Sequence, residues 1–185
     1  MALLDNYLKD KRITQSMIAK TMDKPSSSVA AVINSKIDIT EQNNIQTIRA
    51  IAKIINKTPG DILNELINLE DIIMGFNENC KTYLVTNIFN KDDSIFSDEV
   101  VEYDDFSEAL SDLESNVKTN KINDRITYGL TISDENDVES IILNIELENN
   151  TENTGNSYVD NLELLPEVLR NDVKKFASAH SIKAD

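Results

Sequence analysis

Apolar positions in the first part of this chain recur every three or four residues, the spacing of one helix face. Leu4, Tyr7 and Leu8 predict a helix over residues 3–11. Met17, Ile18 and Met22, with the small Ala19 between them, predict a second over 15–22, and the Thr14 hydroxyl is placed to accept an orphan amide in its first turn. Asp23 and Lys24 make a turn. Pro25 sits just before or at the start of a third helix, where its missing amide costs nothing, and Ser26, Ser27 and Ser28 open that helix ahead of Val29, Val32 and Ile33. Ile45, Ile48, Ile51, Ile54 and Ile55 mark a fourth over 44–56. Thr58-Pro59-Gly60-Asp61 is a capping signature for a fifth, which runs through Ile62, Leu63, Leu66, Ile67 and Leu69 toward Ile73 and is expected to end at Gly75. This last helix has apolar surface for a dimer seam or for plain core packing.

Beyond it the period changes. Residues 81–89 carry the β-branched and aromatic bias of a strand, 90–97 read as a polar loop, and 99–103 as a short strand. Asp104 and Asp105 cap a helix built on Phe106, Ala109, Leu110, Leu113 and Val117. Ile126, Tyr128, Leu130 and Ile132 alternate with Thr127, Gly129 and Thr131, a turn follows at 134–137, and 138–147 completes a hairpin. Residues 148–156 read as a polar loop. Leu165-Pro166 starts a last helix on Val168, Leu169, Val173, Phe176 and Ala177. The expected fold is therefore two-domain: an all-α five-helix domain over residues 1–74, then a small α+β domain over 75–185 with helices on one face of an antiparallel sheet.

Charge sharpens this division. Residues 1–71 hold 9 Lys and Arg against 9 Asp and Glu; residues 72–185 hold 9 against 24, so the whole net charge of −15 lies in the second segment. A phosphate backbone repels that segment and tolerates the first. Ile occurs 23 times, Asn 22 times, and 14 Lys stand against 4 Arg, a bias that follows AT-rich codons and points to an AT-rich bacterium or its phage. Asp5, Asn6 and Lys9 interrupt the opening Leu3-Leu4, so no secretory signal is expected, and no apolar run approaches the about 20 residues of a membrane span. The single Cys80 excludes an internal disulfide and a zinc cluster, and the expected location is the cytoplasm of a bacterial host cell.

No catalytic constellation, metal site or cofactor is expected, and the chain reads as a non-enzyme. Its one histidine, His180, falls near an end expected to fray, and Cys80 has no cationic neighbour in sequence. Asp134-Glu135-Asn136-Asp137 lacks the glycine and final glutamate of a calcium loop. Asp92, Asp93, Asp98, Glu99, Glu102, Asp104, Asp105 and Glu108 crowd 17 residues that contain no Lys or Arg. That excess is either a solvated surface or a docking face, joined by Asp134, Glu135 and Asp137, that imitates a nucleic-acid backbone toward a basic partner.

Thr14-Gln15, Ile18-Ala19, Met22, Ser27, Val29 and Asn34 resemble the lambda-repressor-like (Cro and XRE type) helix-turn-helix family, with Asp23 where that family has a turn glycine. The resemblance covers about residues 3–70. It implies a DNA-binding set of Thr14, Gln15, Ser26, Ser27, Ser28, Ala30, Ala31 and Asn34, short and uncharged, on double-stranded palindromic DNA read by a homodimer, and Lys20, Lys24, Lys36 and Lys53 are placed to line one edge of it. Leu3-Leu4-Asp5, Tyr7-Leu8-Lys9, Thr47-Ile48-Arg49 and Pro59-Gly60-Asp61-Ile62-Leu63 with Glu65-Leu66 look like the N-terminal domain of helix-turn-helix-bearing type II anti-CRISPR proteins of phages. That likeness implies two functions: autorepression of an operon, and inhibition of a CRISPR effector nuclease, or another basic protein, through the acidic domain. The alternative is an ordinary phage or mobile-element repressor, or an antitoxin, whose C-terminal domain oligomerises or binds a basic partner.

Overall fold

The computed structural model describes residues 3–34, 42–90, 94–119, 125–148, 151–152 and 155–182. The protein is mixed α+β, with helices first and an antiparallel sheet after them. It divides into two compact units, Met1–Ile72 and Ile73–Asp185. Among the described residues no helix is long and apolar enough to cross a membrane.

The first unit holds α1 (Leu3–Asp10), α2 (Gln15–Met22), α3 (Ser26–Asn34), α4 (Gln42–Ile54) and the start of α5 (Pro59–Asn79). Leu4, Tyr7, Leu8, Ile18, Val29, Ile33, Ile48, Ile51, Ile62 and Leu66 form its core. Thr14 caps α2, its hydroxyl accepting from the Met17 amide at 3.3 Å. Asp23 ends α2 in the left-handed region at φ 53°, which Asp tolerates better than most side chains, and its amide closes back on the Ala19 and Lys20 carbonyls. Thr58 and Asp61 satisfy each other's amides across the first turn of α5, at 3.0 and 3.1 Å. The Thr58 hydroxyl first, and then the Thr58 amide, hold the Asp61 carboxyl below the ordinary carboxylate range. The Tyr7 hydroxyl donates to Glu65 at 2.7 Å, and Lys57 pairs with the same carboxylate, tying α1 to α5. Met17 and Ile45, expected inside, are each 42% exposed. One helix turn buries Ile18 and Ala19 together, which rotates Met17 onto the flank; on α4, buried Asn44, Thr47 and Ile48 do the same to Ile45.

Gly75 does not end α5. No described glycine has a positive φ, and a glycine terminates a helix by taking the left-handed conformation. Residues 75–79, expected to lie past the end of this helix, are helical: Phe76 is buried in the second core, edge-on to Phe106 at 5.9 Å, and the Asn79 amide donates to the Gly75 carbonyl at 2.6 Å.

In the second unit, β1 (Lys81–Phe89), β2 (Ile95–Tyr103), β3 (Arg125–Ser133), β4 (Glu139–Glu148) and β5 (Thr151–Glu152) form a sheet in the order β2-β1-β3-β4-β5, and β6 (Tyr158–Val159) also pairs with β4. Every pairing is antiparallel. The register puts Leu84, Leu130 and Leu143 on one face in a row. With Ile126, Tyr128, Ile145 and Leu147 they meet α6 (Phe106–Thr119) and α7 (Glu167–Ala179) in a single core. Asp105 caps α6, accepting from the Ser107 and Glu108 amides at 2.7 and 3.3 Å. Two expectations fail here. Residues 148–156 include β5, and His180 is anchored rather than frayed: its Nδ1 lies 2.6 Å from Glu152 and its ring stacks on Phe176 at 4.3 Å. Strand β2 also begins four residues earlier than its pattern implies, at Ile95 instead of 99.

Candidate functional site

On the first unit, the polar groups gather around the α2–α3 turn. Thr14, Lys24, Ser26, Ser27 and Ser28 are exposed, and Gln15 is half-buried. The Gln15 side-chain amide donates to the Ser26 carbonyl and so locks the start of α3 to the start of α2. Ser26 to Ser28 therefore present short hydroxyls at a helix N-terminus on a braced edge, with the Ser28 amide already donating to the Pro25 carbonyl at 3.1 Å. Lys24 reaches α4, its Nζ donating to Gln46 at 3.0 Å. Gln46, Arg49, Ala50 and Lys53 line a cavity of about 250 Å³ with Thr21 and Met22 of α2. Arg49 and Lys53 are exposed at its rim. A strip of three cations thus follows α4 beside the turn that leads into α3. Arg49 was missing from the sequence-derived set. Its position three residues after Gln46 and four before Lys53, on the face of α4 opposite the isoleucines, was the available signal. Ala31 and Asn34 lie on α3 with side chains outside the described set, and Lys36 falls outside the described residues.

On the second unit the acids do not form one patch. Asp98 and Glu99 lie in the middle of β2, paired in register with Asn87 and Thr86. Glu102 lies toward the other end of that strand, bound to Lys81 at 2.8 Å. Lys81 pairs in register with Ser133, which places the β3–β4 turn near the same end, and Glu102 first, with Asp137 also, raises the Lys81 pKa. Asp134 serves that turn: its carboxylate accepts from the Asn136 and Val138 amides at 2.9 and 3.0 Å, and those bonds hold its pKa down. Glu135 and Asp134 add to burial in pushing the Cys80 thiol up, so this half-buried thiol is poorly disposed to ionise. Asp105 is committed to its helix cap. Asp104 and Glu108 are exposed at the β2–α6 junction, while Asp92 and Asp93 lie outside the described residues.

The sequence reading also missed two participants. Asp112 on α6 accepts from the Tyr103 hydroxyl at 2.9 Å; burial and that carboxylate push the Tyr103 pKa up to about 12. The other is apolar. Ile95, Phe96, Val100 and Val101 on β2 are 58, 71, 59 and 37% exposed, interleaved with Ser97, Asp98, Glu99 and Glu102. The strand carries acid and hydrocarbon in short blocks along an edge of the sheet.

No family model, curated protein or solved structure matches this chain.

Proposed function

We propose that this protein is a dual-function, non-enzymatic regulator. Its first unit acts as a dimeric lambda-repressor-like helix-turn-helix that represses its own operon at a palindromic operator. Its second unit binds a basic protein partner, a type II RNA-guided nuclease, and inhibits it. The observation that carries the reading is the opposite dressing of two surfaces. The braced, uncharged start of α3 stands beside Lys24, Arg49 and Lys53, whereas Asp98, Glu99, Asp104 and Glu108 are exposed without a described ion pair.

On the DNA side, Ser26 to Ser28 enter the major groove while Thr14, Lys24, Arg49 and Lys53 meet the phosphate backbone. Short hydroxyls read either base type, so affinity rests on the backbone contacts and on having two half-sites. Ile67 and Ile72, 40 and 50% exposed on α5, supply the apolar seam of the dimer. On the protein side, the −15 charge speeds encounter with a Lys/Arg-lined surface.

The test has two arms on the full chain. Fluorescence anisotropy with DNA from the protein's own promoter should give saturable binding with a two-to-one stoichiometry and a steep loss of affinity between about 50 and 200 mM salt. A cleavage assay with a type II nuclease and its guide should show inhibition that Asp98→Lys with Glu99→Lys removes. Absence of promoter binding sinks the first function; undiminished inhibition by the charge-reversed, folded variant sinks the second.

A further inference from the structure

Edge strands expose a row of unpaired backbone amides and carbonyls, and natural sheets blunt them with lysines, prolines, bulges or short length. Strand β2 has nine residues and neither lysine nor proline. Its one irregularity lies at the Ile88/Phe89 end, and from Ser97 to Tyr103 the pairing with β1 is regular. Among the described residues no strand pairs with its other side. Eight of its nine residues are exposed, including four large apolar ones. Single exposed apolar residues are ordinary; four along one open edge mark an interaction surface.

Charge complementarity selects the occupant. A second copy is disfavoured, because a two-fold antiparallel β2–β2 pair crowds six carboxylates, three per chain, onto one seam. Pairings centred on Asp98, Glu99 or Val100 set carboxylates directly opposite each other, which destabilises a sheet. The same acids repel nucleic acid. We propose that the outer edge of β2 is a strand-addition site for an extended, Lys/Arg-bearing segment of a partner protein. The proposal rests on the basic-partner reading above and adds its mode of recognition: backbone ladder first, charge second.

The register makes the ligand specific. Opposed residues in an antiparallel pair share a face, and Asp98, Val100 and Glu102 share one face of β2 while Ser97, Glu99 and Val101 share the other. The complement of Asp98-Glu99-Val100-Val101-Glu102, read antiparallel, is cation-apolar-apolar-cation-cation. Lys81 already neutralises Glu102, so the two adjacent cations opposite Glu99 and Asp98 carry the charge recognition.

The probe is an acetylated, amidated peptide, Thr-Lys-Val-Val-Lys-Lys-Thr-Thr, titrated onto the full chain by nuclear magnetic resonance, with hydrogen exchange measured at saturation. Saturable one-to-one binding, slowed exchange of alternate β2 amides, and an affinity loss of about tenfold or more on N-methylating alternate peptide amides support strand addition. Asp98→Lys with Glu99→Lys should weaken the unmodified peptide to a similar degree. Equal binding of the methylated and unmodified peptides, both abolished by salt, overturns the strand-addition proposal and leaves the basic-partner reading standing. No binding of either peptide to a folded chain that still inhibits the nuclease overturns it too. Slowed β2 exchange that grows with protein concentration in the absence of peptide assigns the edge to a second copy, and overturns the proposal as well.

Discussion

The two units solve the same problem, an exposed polar surface, in opposite ways. In the helical unit two acids at α5 are spent on structure, Asp61 closing a capping box and Glu65 binding Tyr7 and Lys57, while Asp23 takes the left-handed turn with its backbone and leaves its carboxylate exposed. Apart from Asp23, what remains around the α2–α3 turn is neutral or cationic. In the sheet unit, Asp105 and Asp134 are spent the same way, on a cap and a turn, but Asp98 and Glu99 on β2 have no such task. Counting acids therefore overstates the docking face, and asking what each carboxylate accepts separates structural acids from those left to meet a partner.

The largest effects come from breaking either core. Ile51→Ala in the first unit and Leu130→Ala in the second, both 0% exposed, should each cost about 2–5 kcal/mol. If the units are energetically distinct, calorimetry will show Ile51→Ala lowering promoter binding and one transition while leaving peptide binding to β2 intact, and Leu130→Ala doing the reverse. A single transition shifted by both variants would merge the two halves of the comparison.

Next in size is the cap of α5. Thr58→Ala removes an acceptor for the Asp61 amide and should cost about 1 kcal/mol, read from urea midpoints. Gly75→Ala acts in the opposite direction. An added Cβ meets nothing within 4 Å and the backbone is helical, so the substitution should stabilise by about 0.5–1 kcal/mol. Destabilisation would mean that α5 breaks where its glycine stands.

That glycine shows where the sequence was and was not legible. The helix starts were readable because capping chemistry is local: Thr14, Thr58 and Asp105 each announce themselves within four residues. The end of α5 was not, because burial of Phe76, a tertiary event, overrides a glycine's local preference. The hairpin of β3 and β4 was readable from alternation, since one of its faces is buried. Residues 95–97 read as loop because β2 buries neither face and so carries no period-two signal; the most interesting edge of the sheet was the least visible. His180 looked terminal in sequence, and only the fold brings it to Glu152. The cations of α4 were half-seen: Lys53 stood out, while Arg49 needed the position of α2 against it.

The smallest effects are titrations, and they differ in sign. Asp134 has a folded pKa below its unfolded value, so its contribution is present above the ordinary Asp range and is lost as pH falls through the folded pKa. Tyr103 has a folded pKa raised to about 12, so its contribution is intact below the unfolded value near 10 and is lost as pH rises through about 12. Asp134→Asn should flatten the acid limb of the stability profile, and Tyr103→Phe the alkaline limb. Unchanged limbs would detach these contacts from the fold's stability.

One measurement tests the separation of the two surfaces most directly: promoter-DNA anisotropy and nuclease inhibition, run side by side on two folded variants of the full chain. Ser27→Asp with Arg49→Ala adds repulsion at the groove and removes a phosphate contact. The new acid sits in the first turn of α3, where a negative charge favours the helix by about 0.3–1 kcal/mol, so lost binding cannot be blamed on unfolding. This variant should lose DNA affinity by about tenfold or more and inhibit fully. Asp98→Lys with Glu99→Lys should bind DNA at least as well as the natural chain and lose inhibition. If either variant abolishes both activities, or if the first leaves DNA binding unchanged, the assignment of two tasks to two oppositely dressed surfaces is wrong.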